Sequence, residues 1–280
     1  MKITDEKELQ KISNEIRKNI LNMVYEAGSG HIGGSLSATE ILTVLYFNQM
    51  NINNLKPKDV SRDRFVLSKG HVTPALYSTL AERGYFLKSE LSGFRKINSN
   101  LQGHPDMNKV PGVDMSTGSL GQGLSSANGM AICSKMDNLG YRVYCLLGDG
   151  ELEEGQIWEA VMTSSKYKLD NLCVIVDYNH LQIDGNIEKV KSLDKLKEKF
   201  ESFGFKVISV DGHNIKELIR AFDEAKETKN MPTVIIANTI KGKGISFMEN
   251  EANWHGKVPN DEEYDNAIEE LENNFDGSNI

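Results

Sequence analysis

Two polar residues suited to bind a divalent cation follow two apolar segments of the chain. Asp149, with a glycine on each side, directly follows the apolar run 143–147. Asn179 comes shortly after the next apolar run, 172–176. A carboxylate, an amide oxygen and a backbone carbonyl suit Mg²⁺ or Ca²⁺ and leave positions open for phosphate oxygens. Gly-Asp-Gly alone is more often a simple turn, so the prediction of a cation and diphosphate site depends on the pairing with Asn179.

Most of the histidines lie next to glycine, among them His31, His71, His104 and His255. A lone histidine usually has an ordinary structural position. A set of them on glycine-containing loops is instead typical of imidazoles presented to a polar ligand. We therefore expect most of this set to line one cleft, and we assign His180 and His213 to structural positions.

The longest stretch of small residues, Ser-Thr-Gly-Ser-Leu-Gly-Gln-Gly, covers residues 116–123 and is called the glycine stretch below. It differs in glycine spacing from the dinucleotide-binding fingerprint, which also has to follow a strand directly. No phosphate-loop consensus occurs in the chain either. The glycine stretch alone therefore indicates only that its backbone lies close to another group.

The elements that position these residues alternate along the chain between strands and helices. Apolar runs predict strands at 65–67, 143–147, 172–176, 205–210 and 234–237. Helical spacing predicts helices at 5–27, 37–47, 74–82, 157–167, 193–203 and 214–226, and capping boxes begin the first two, Asp5 with Glu8 and Ser37 with Glu40. The alternation predicts an α/β fold with a doubly wound, mainly parallel sheet and helices on both faces. Ligands of such sheets bind beyond the carboxyl ends of the strands.

The composition excludes several classes of protein. The chain has 280 residues, of which 39% are hydrophobic and 26% charged, with a formal net charge of −8. This is an ordinary globular composition, and its basic residues are scattered, so we expect no nucleic-acid partner. No apolar run of about 18 residues and no leader sequence occurs, so we expect no membrane association and a cytoplasmic location. Cys133, Cys145 and Cys173 lack metal-ligand spacing and are expected to be buried.

The order of these motifs resembles the amino-terminal half of a transketolase, a thiamine-diphosphate enzyme. The matching segments are Ser29-Gly30-His31, residues 67–71, Gly103-His104-Pro105, residues 117–123, Gly148-Asp149-Gly150, Asn179, residues 239–242 and Trp254-His255-Gly256. Many thiamine-diphosphate enzymes share the Gly-Asp-Gly and Asn pair, whereas the histidine set with the glycine stretch is narrower. The resemblance implies a thiamine-diphosphate-binding domain of the diphosphate-binding (PP) type over residues 1–260. An acidic tail, residues 261–280, would follow as a frayed terminus or linker.

The resemblance also implies a role for each matching residue. The metal, Mg²⁺ or alternatively Ca²⁺, would be bound by Asp149, Asn179 and the carbonyl of Leu181. The diphosphate would also contact Lys69, His71, Gly150 and Lys241. The aminopyrimidine of the cofactor would lie near Gly118, Ser119 and Leu120. The thiazolium and the donor sugar would face His31, His104 and His255, which would donate hydrogen bonds and move protons.

The length of the chain is the main departure from a complete transketolase. A complete enzyme has a second, pyrimidine-binding domain with the glutamate that activates the cofactor, and this chain ends where that domain would begin. Glu154 would point towards that glutamate and share protons with it. We therefore expect a subunit of a split transketolase, active only with a pyrimidine-domain subunit, in two copies of each chain. It would transfer a two-carbon ketol unit between sugar phosphates.

Two alternatives remain open from the sequence. One is a split ketol transferase for a sulfo- or branched sugar, because the residues that distinguish sugars would lie in the partner. The other is a catalytically inactive, thiamine-diphosphate-binding regulatory subunit, against which stands the intact set of polar site residues.

A smaller departure from the family pattern is Asp177, where many thiamine enzymes have asparagine; the ligating Asn179 is kept.

Overall fold

A five-stranded, fully parallel sheet forms the centre of the molecule in a computed structural model that describes residues 2–273. Its strands are β1 (Arg64–Leu67), β2 (Val143–Gly148), β3 (Leu172–Tyr178), β6 (Lys206–Asp211) and β7 (Thr233–Asn238). They lie in the order β1-β2-β3-β7-β6. A separate two-stranded antiparallel ladder joins β4 (Leu181–Gln182) to β5 (Gly185–Asn186). The prediction of a parallel α/β sheet is confirmed.

Helices cover both faces of this sheet and form two apolar cores with it. The first core involves α1 (Glu6–Ala27), α2 (Ile32–Ser37), α3 (Thr39–Val44), α4 (Thr73–Glu82), α9 (Ile215–Glu227) and α10 (Asp261–Asn273). The second involves α5 (Gln122–Met136), α6 (Gly155–Lys166), α7 (Ile187–Val190) and α8 (Leu196–Ser202). No helix among residues 2–273 is long and apolar enough to cross a membrane.

The alternation of side chains between the two faces of the sheet explains why the central strands are apolar without interruption. Successive side chains of a strand point to opposite faces of its sheet. Tyr144 and Leu146 accordingly lie in the first core, and Cys145 and Leu147 in the second. Since helices cover both faces, every one of these positions is buried and selects an apolar side chain.

The beginnings of the first helices differ from the sequence prediction. Asp5 caps α1, but its carboxylate accepts the N–H of Lys7 rather than that of Glu8. The segment 37–47 is helical as predicted, but its predicted start is wrong, because a helix already begins at Ile32 and the segment continues as α3 and a π-helical turn over Leu45–Gln49. Ser37 is not an N-cap, because it is the last residue of α2, and its hydroxyl donates to Asp177 at 2.5 Å.

Two further expectations are corrected by the described residues. A frayed terminus is wrong for residues 261–273, which form α10 with Ala267 and Leu271 buried against α1. The remainder of the predicted tail, residues 274–280, lies outside the described residues, and a domain boundary at residue 260 stays a prediction. Cys145 and Cys173 are buried as expected, whereas Cys133 is exposed because it lies on the outward face of α5.

Candidate active site

The loops after β1, β2, β3 and β7 meet at the carboxyl edge of the sheet and bring most of the predicted site residues together. Gly148, the last residue of β2, pairs with Asp177 of β3, so Asp149 and Asn179 extend side by side beyond the paired strands. The N–H of His180 donates to Oδ2 of Asp149 at 2.6 Å. The structure therefore places the two predicted ligands on adjacent loops.

Oxygen atoms of three residues form a donor set on these two loops. Asp149 is buried, and Oδ1 of its carboxylate accepts the N–H of Gly150 at 2.8 Å. Oδ1 of Asn179 accepts the N–H of Leu181 at 3.1 Å, which places the amide oxygen and the Leu181 carbonyl on one short turn. His180, between them, has φ of 62°, a left-handed conformation that makes this turn tight.

The electrostatics of Asp149 favour a cation beside it. Burial, and then the charge of Asp177, raise the pKa of Asp149 to about 7. A divalent cation would compensate this charge, and the carboxylate, amide and carbonyl oxygens match a hard cation. Among residues 2–273, no group of at least three His, Cys, Asp or Glu side chains could bind a metal. A metal at this edge therefore depends on the mixed oxygen set, which the residues present can supply.

Lys241 lies beside this donor set as a buried cation. Its side chain is 1% exposed, and Nζ donates to the carbonyl of Leu181 at 3.3 Å and contacts Nδ1 of His255 at 3.0 Å. Neither partner carries a negative charge, and burial lowers the pKa of Lys241 to about 8. A buried ammonium with neutral partners is suited to an anionic ligand such as a diphosphate.

Lys69 has a different environment from the one that sequence reasoning gave it. Its ammonium forms a buried ion pair with Asp177, a carboxylate that also accepts hydrogen bonds from Ser37 and Thr239. Burial tends to raise the pKa of Asp177, but Lys69 and these hydroxyls lower it below its ordinary value. The charge of Lys69 is thus compensated within the protein, and Asp177 joins the loops after β1 and β7 to α2.

Three of the four expected histidines pack as one group, the histidine cluster of His31, His71 and His255. The ring centroids are 4.9 Å apart for His31 and His71, 5.2 Å for His31 and His255, and 5.3 Å for His71 and His255. Burial, with nearby cations, lowers their pKa values to about 4 for His31, about 2 for His71 and about 3 for His255. The cluster is therefore neutral near pH 7. Within the described residues, Nδ1 of His31 is buried without a hydrogen-bond partner and could bind a ligand.

His104 lies at the rim, apart from the histidine cluster. It is exposed, and the carbonyl of His104 accepts the hydroxyl of Tyr77 at 3.2 Å. A Cβ added to Gly118 would lie 3.0 Å from the His104 ring, so glycine is required for this close approach. After burial and Arg95, the charge of His104 contributes to the lowered pKa of His31.

The glycine stretch packs its backbone against the loop after β1. A Cβ on Gly70 would lie 2.8 Å from the amide nitrogen of Gly118, and one on Gly123 would lie 2.4 Å from Oγ of Ser68. The glycine backbone of this stretch therefore lies close to another loop of the same site, the loop after β1. Ser119 and Leu120, also predicted as cofactor contacts, are exposed in the middle of this stretch.

Sequence reasoning missed Glu151, which joins three of these loops. Its buried carboxylate accepts the Ser68 hydroxyl at 2.5 Å and the N–H groups of Gly121 at 2.9 Å and Gly148 at 3.1 Å. Burial raises the pKa of this carboxyl group. Its position within Gly-Asp-Gly-Glu was the available signal, because an acidic residue beside bare backbone can accept several N–H groups.

Arg95 is a second residue that the sequence did not reveal. Its Nη1 donates to the hydroxyl of Ser29 at 2.7 Å, and its charge contributes to the lowered pKa values of His31 and His104. A single arginine in a polar loop carries no sequence signal. Arg95 adds positive charge at the rim of the site.

Glu154 lies at the surface rather than in the histidine cluster. It is exposed at the N-cap position of α6, and its Cβ would be 2.9 Å from a Cβ added to Gly121. The structure thus places Glu154 beside the glycine stretch, on the outside of the molecule.

The sheet and the residues at its carboxyl edge define a diphosphate-binding domain of the α/β class. The oxygen donor set, the buried Lys241 and the close-packed loops fit a metal-bound diphosphate. The chain belongs to the transketolase family: residues 8–276 match the family described as "Transketolase, thiamine diphosphate binding domain". The resemblance found in the sequence is confirmed.

Similar proteins include both separate subunits and full-length enzymes. The chain is 45% identical over 264 residues to a subunit of the apulose-4-phosphate transketolase of Phocaeicola vulgatus, covering 94% of this chain and 93% of that protein. It is 45% identical over 265 residues to a subunit of the 6-deoxy-6-sulfo-D-fructose transketolase of a Clostridium species, covering 95% and 96%. The transketolase of Homo sapiens is 46% identical over 257 residues, covering 90% of this chain but 41% of the human protein.

The fold is also that of solved transketolases. The Campylobacter jejuni transketolase structure superimposes with a TM-score of 0.91 at 35% identity, covering 96% of this chain and 43% of that chain. The Leishmania mexicana transketolase gives a TM-score of 0.89 at 32% identity, covering 94% and 41%. The described domain thus corresponds to about two-fifths of these full-length enzymes.

Proposed function

We propose that this chain is the thiamine-diphosphate-binding subunit of a split transketolase, which transfers a two-carbon ketol unit between sugar phosphates together with a pyrimidine-domain subunit. One observation carries the proposal: the oxygen set of Asp149, Asn179 and Leu181 lies beside the buried Lys241 and the neutral histidine cluster. This arrangement combines sites for a metal, a diphosphate and a polar substrate at one edge of the sheet.

The oxygen set and the buried cations have the binding role in this proposal. Asp149, Asn179 and the Leu181 carbonyl would bind Mg²⁺, with Ca²⁺ as an alternative. Lys241, His71 and Gly150 would contact the diphosphate, and Lys69 would act through Asp177 and the loops that this ion pair joins. Gly118, Ser119 and Leu120 would lie along the aminopyrimidine. Thiamine diphosphate, when bound, supplies the electron sink that cleavage of a ketol unit requires.

The histidines would bind and orient the donor sugar. Because Lys241 donates to Nδ1 of His255, neutral His255 carries its proton on Nε2 and can donate it to a substrate hydroxyl. The low pKa values of His31 and His255 keep both rings neutral at pH 7. Towards a substrate His255 can therefore donate from Nε2, whereas His31 can donate from one ring nitrogen and accept at the other. His104 would contact the sugar at the rim, where ketol transfer requires protons to move.

A partner subunit is supported by the relatives and by the exposed rim. Two relatives of similar length are themselves named as subunits of transketolases. Leu120 of the glycine stretch and Glu154 beside it lie exposed, where a pyrimidine-domain subunit would cover the cofactor and bring the activating glutamate towards Glu154. We propose two copies of each chain, with each active site between unlike subunits, in the cytoplasm.

A modified sugar is a second candidate for the donor. The specific observation in its favour is that two relatives are named for apulose 4-phosphate and for 6-deoxy-6-sulfo-D-fructose, at 45% identity each. The site residues of this chain suit the ketol portion that all these sugars share. The choice of sugar would then depend on residues of the partner subunit.

The test is a ketol-transfer assay with the chain alone and with its pyrimidine-domain subunit. The donors are xylulose 5-phosphate, apulose 4-phosphate and 6-deoxy-6-sulfo-D-fructose, with an aldose phosphate as acceptor. We expect turnover by the mixture and none by the chain alone, and the preferred donor identifies the sugar. Absence of ketol transfer from every donor by a well-folded, cofactor-loaded complex would contradict the proposal and favour the inactive regulatory subunit.

A further inference from the structure

A buried charged network lies behind the loop that carries Lys241. Nη2 of Arg17 is 2.6 Å from Oε1 of Glu40, and Oε2 of Glu40 is 2.9 Å from Nδ1 of His213. Arg17 and Glu40 are buried. Burial opposes the charged form of Glu40, yet Arg17 and His213 hold its pKa at about 2. Burying such a network costs desolvation energy, so stability alone is a weak reason for its presence.

The network contacts the backbone on both sides of Lys241. The N–H of Ile240 donates to Nε2 of His213 at 2.8 Å, and Nε of Arg17 donates to the carbonyl of Lys243 at 2.9 Å. Gly244 has φ of +97°, and a Cβ there would lie 2.9 Å from Nε of Arg17. The loop therefore approaches the network too closely for a side chain at residue 244.

The hydrogen bonds of His213 define a single neutral tautomer. Since the N–H of Ile240 needs a lone pair on Nε2, the ring proton lies on Nδ1 and donates to Glu40. The imidazole thereby joins a buried carboxylate to a backbone amide next to Lys241. Phenylalanine would fill this space without either contact, whereas a glutamine amide offers one donor and one acceptor.

We propose that Arg17, Glu40 and His213 are positioning residues that fix the Lys241 loop so that Lys241 binds the cofactor's diphosphate. The inference rests on the proposed function, because it takes the diphosphate as the ligand of Lys241. Lys241 is the group that contacts the ligand, and His213 acts through it by way of Ile240. The direct contacts of Lys241 with Leu181 and His255 depend on this backbone position.

The experiment measures thiamine-diphosphate affinity by calorimetric titration of the two-subunit complex in Mg²⁺. We expect His213→Phe to raise the Kd roughly 5- to 10-fold, the value of the lost hydrogen bond to Ile240 that holds the loop, with kcat recovering at saturating cofactor. His213→Gln should restore most of the affinity. Ser134→Ala is the matched control, since it removes one buried hydrogen bond, to the Tyr141 carbonyl, and should leave the Kd unchanged.

A double-mutant cycle separates positioning from general loosening of the fold. If His213 acts through Lys241, His213→Phe should change the Kd less than about 2-fold when Lys241→Met is already present. Equal losses in both backgrounds, or an unchanged Kd in His213→Phe, would overturn the inference. If His213→Phe fails to fold, His213→Asn, whose shorter amide cannot reach both partners, replaces it in the same cycle. Failure of the wild-type complex to bind the cofactor would overturn the proposed function as well.

Discussion

Nζ of Lys241 lies 3.0 Å from Nδ1 of His255, so the buried cation next to the oxygen donor set also sets the tautomer of a histidine in the cluster. The same ammonium donates to the Leu181 carbonyl at 3.3 Å. One side chain therefore joins the region proposed for the diphosphate to the region proposed for the sugar.

Replacement of Lys241 should weaken cofactor binding. Lys241→Met removes a charge-assisted contact to the diphosphate, and we expect the Kd for thiamine diphosphate to rise roughly 10- to 100-fold. Calorimetric titration of the two-subunit complex measures it. Lys243→Met is the matched control, because that side chain forms a peripheral ion pair with Glu249. Equal Kd values for both variants would refute the role of Lys241.

Replacement of Asp149 should abolish cofactor binding without lowering the stability of the folded chain. Asp149→Asn should abolish Mg²⁺-dependent cofactor binding, whereas the cofactor-free chain should unfold at the same or a higher urea concentration. The reason is that the pKa of Asp149 is raised to about 7, so near pH 7.5 the folded chain contains an unfavourable buried charge. The exposed Asp184 gives the control Asp184→Asn. Retained binding in Asp149→Asn would remove the basis of the metal assignment.

The histidine cluster should make the chain sensitive to acid. The pKa of His71 is about 2 in the folded chain and about 6.5 when unfolded, so between these values only the unfolded chain binds the proton. Stability is therefore lost as the pH falls below about 6.5, by up to about 1.4 kcal/mol per pH unit for this group. Urea unfolding at pH 7, 6 and 5 should show a shallower decline for His71→Gln. An identical decline in both proteins would contradict the buried, neutral assignment.

Replacement of His104 and replacement of His71 should change different quantities, kcat and the cofactor Kd respectively. His104 lies exposed at the rim, so His104→Ala should lower kcat about 10-fold or more with the cofactor Kd little changed, since its contact matters mainly in the transition state. His71→Ala should raise the cofactor Kd first. Steady-state kinetics at varied cofactor and donor concentrations distinguish these outcomes. The same loss in the same parameter would show that the division of roles is wrong.

The fold could be predicted from the sequence because both faces of the sheet are covered. Runs such as 143–147 and 172–176 are uninterrupted and apolar, and the strand ends place Asp149 and Asn179 correctly beside each other. The start of the helix near Ser37 could not be predicted, since the serine hydroxyl bonds to Asp177, 140 positions away. Local capping patterns contain no information about such a distant partner.

Only part of the candidate site could be predicted, because it too depends on contacts between residues distant in the sequence. Motif residues at strand ends are visible in the sequence, but the partners that orient them depend on tertiary contacts. The ion pair of Lys69 with Asp177 was not foreseen, and Glu151 was not recognised at all. His213 also follows a glycine, like the histidines predicted for the site, so this signal was present in the sequence. Its contact with Glu40, however, appears only in the folded chain.

The most direct test of a shared active site is the exchange of the cofactor's C2 proton for deuterium, followed by proton NMR after acid quench. Removal of this proton requires a carboxylate against the aminopyrimidine, and we assign that carboxylate to the pyrimidine-domain subunit. With Mg²⁺ and saturating cofactor, this chain alone should leave the exchange rate at that of free thiamine diphosphate. The two-subunit complex should accelerate exchange by orders of magnitude. Acceleration by the isolated chain would contradict the split active site.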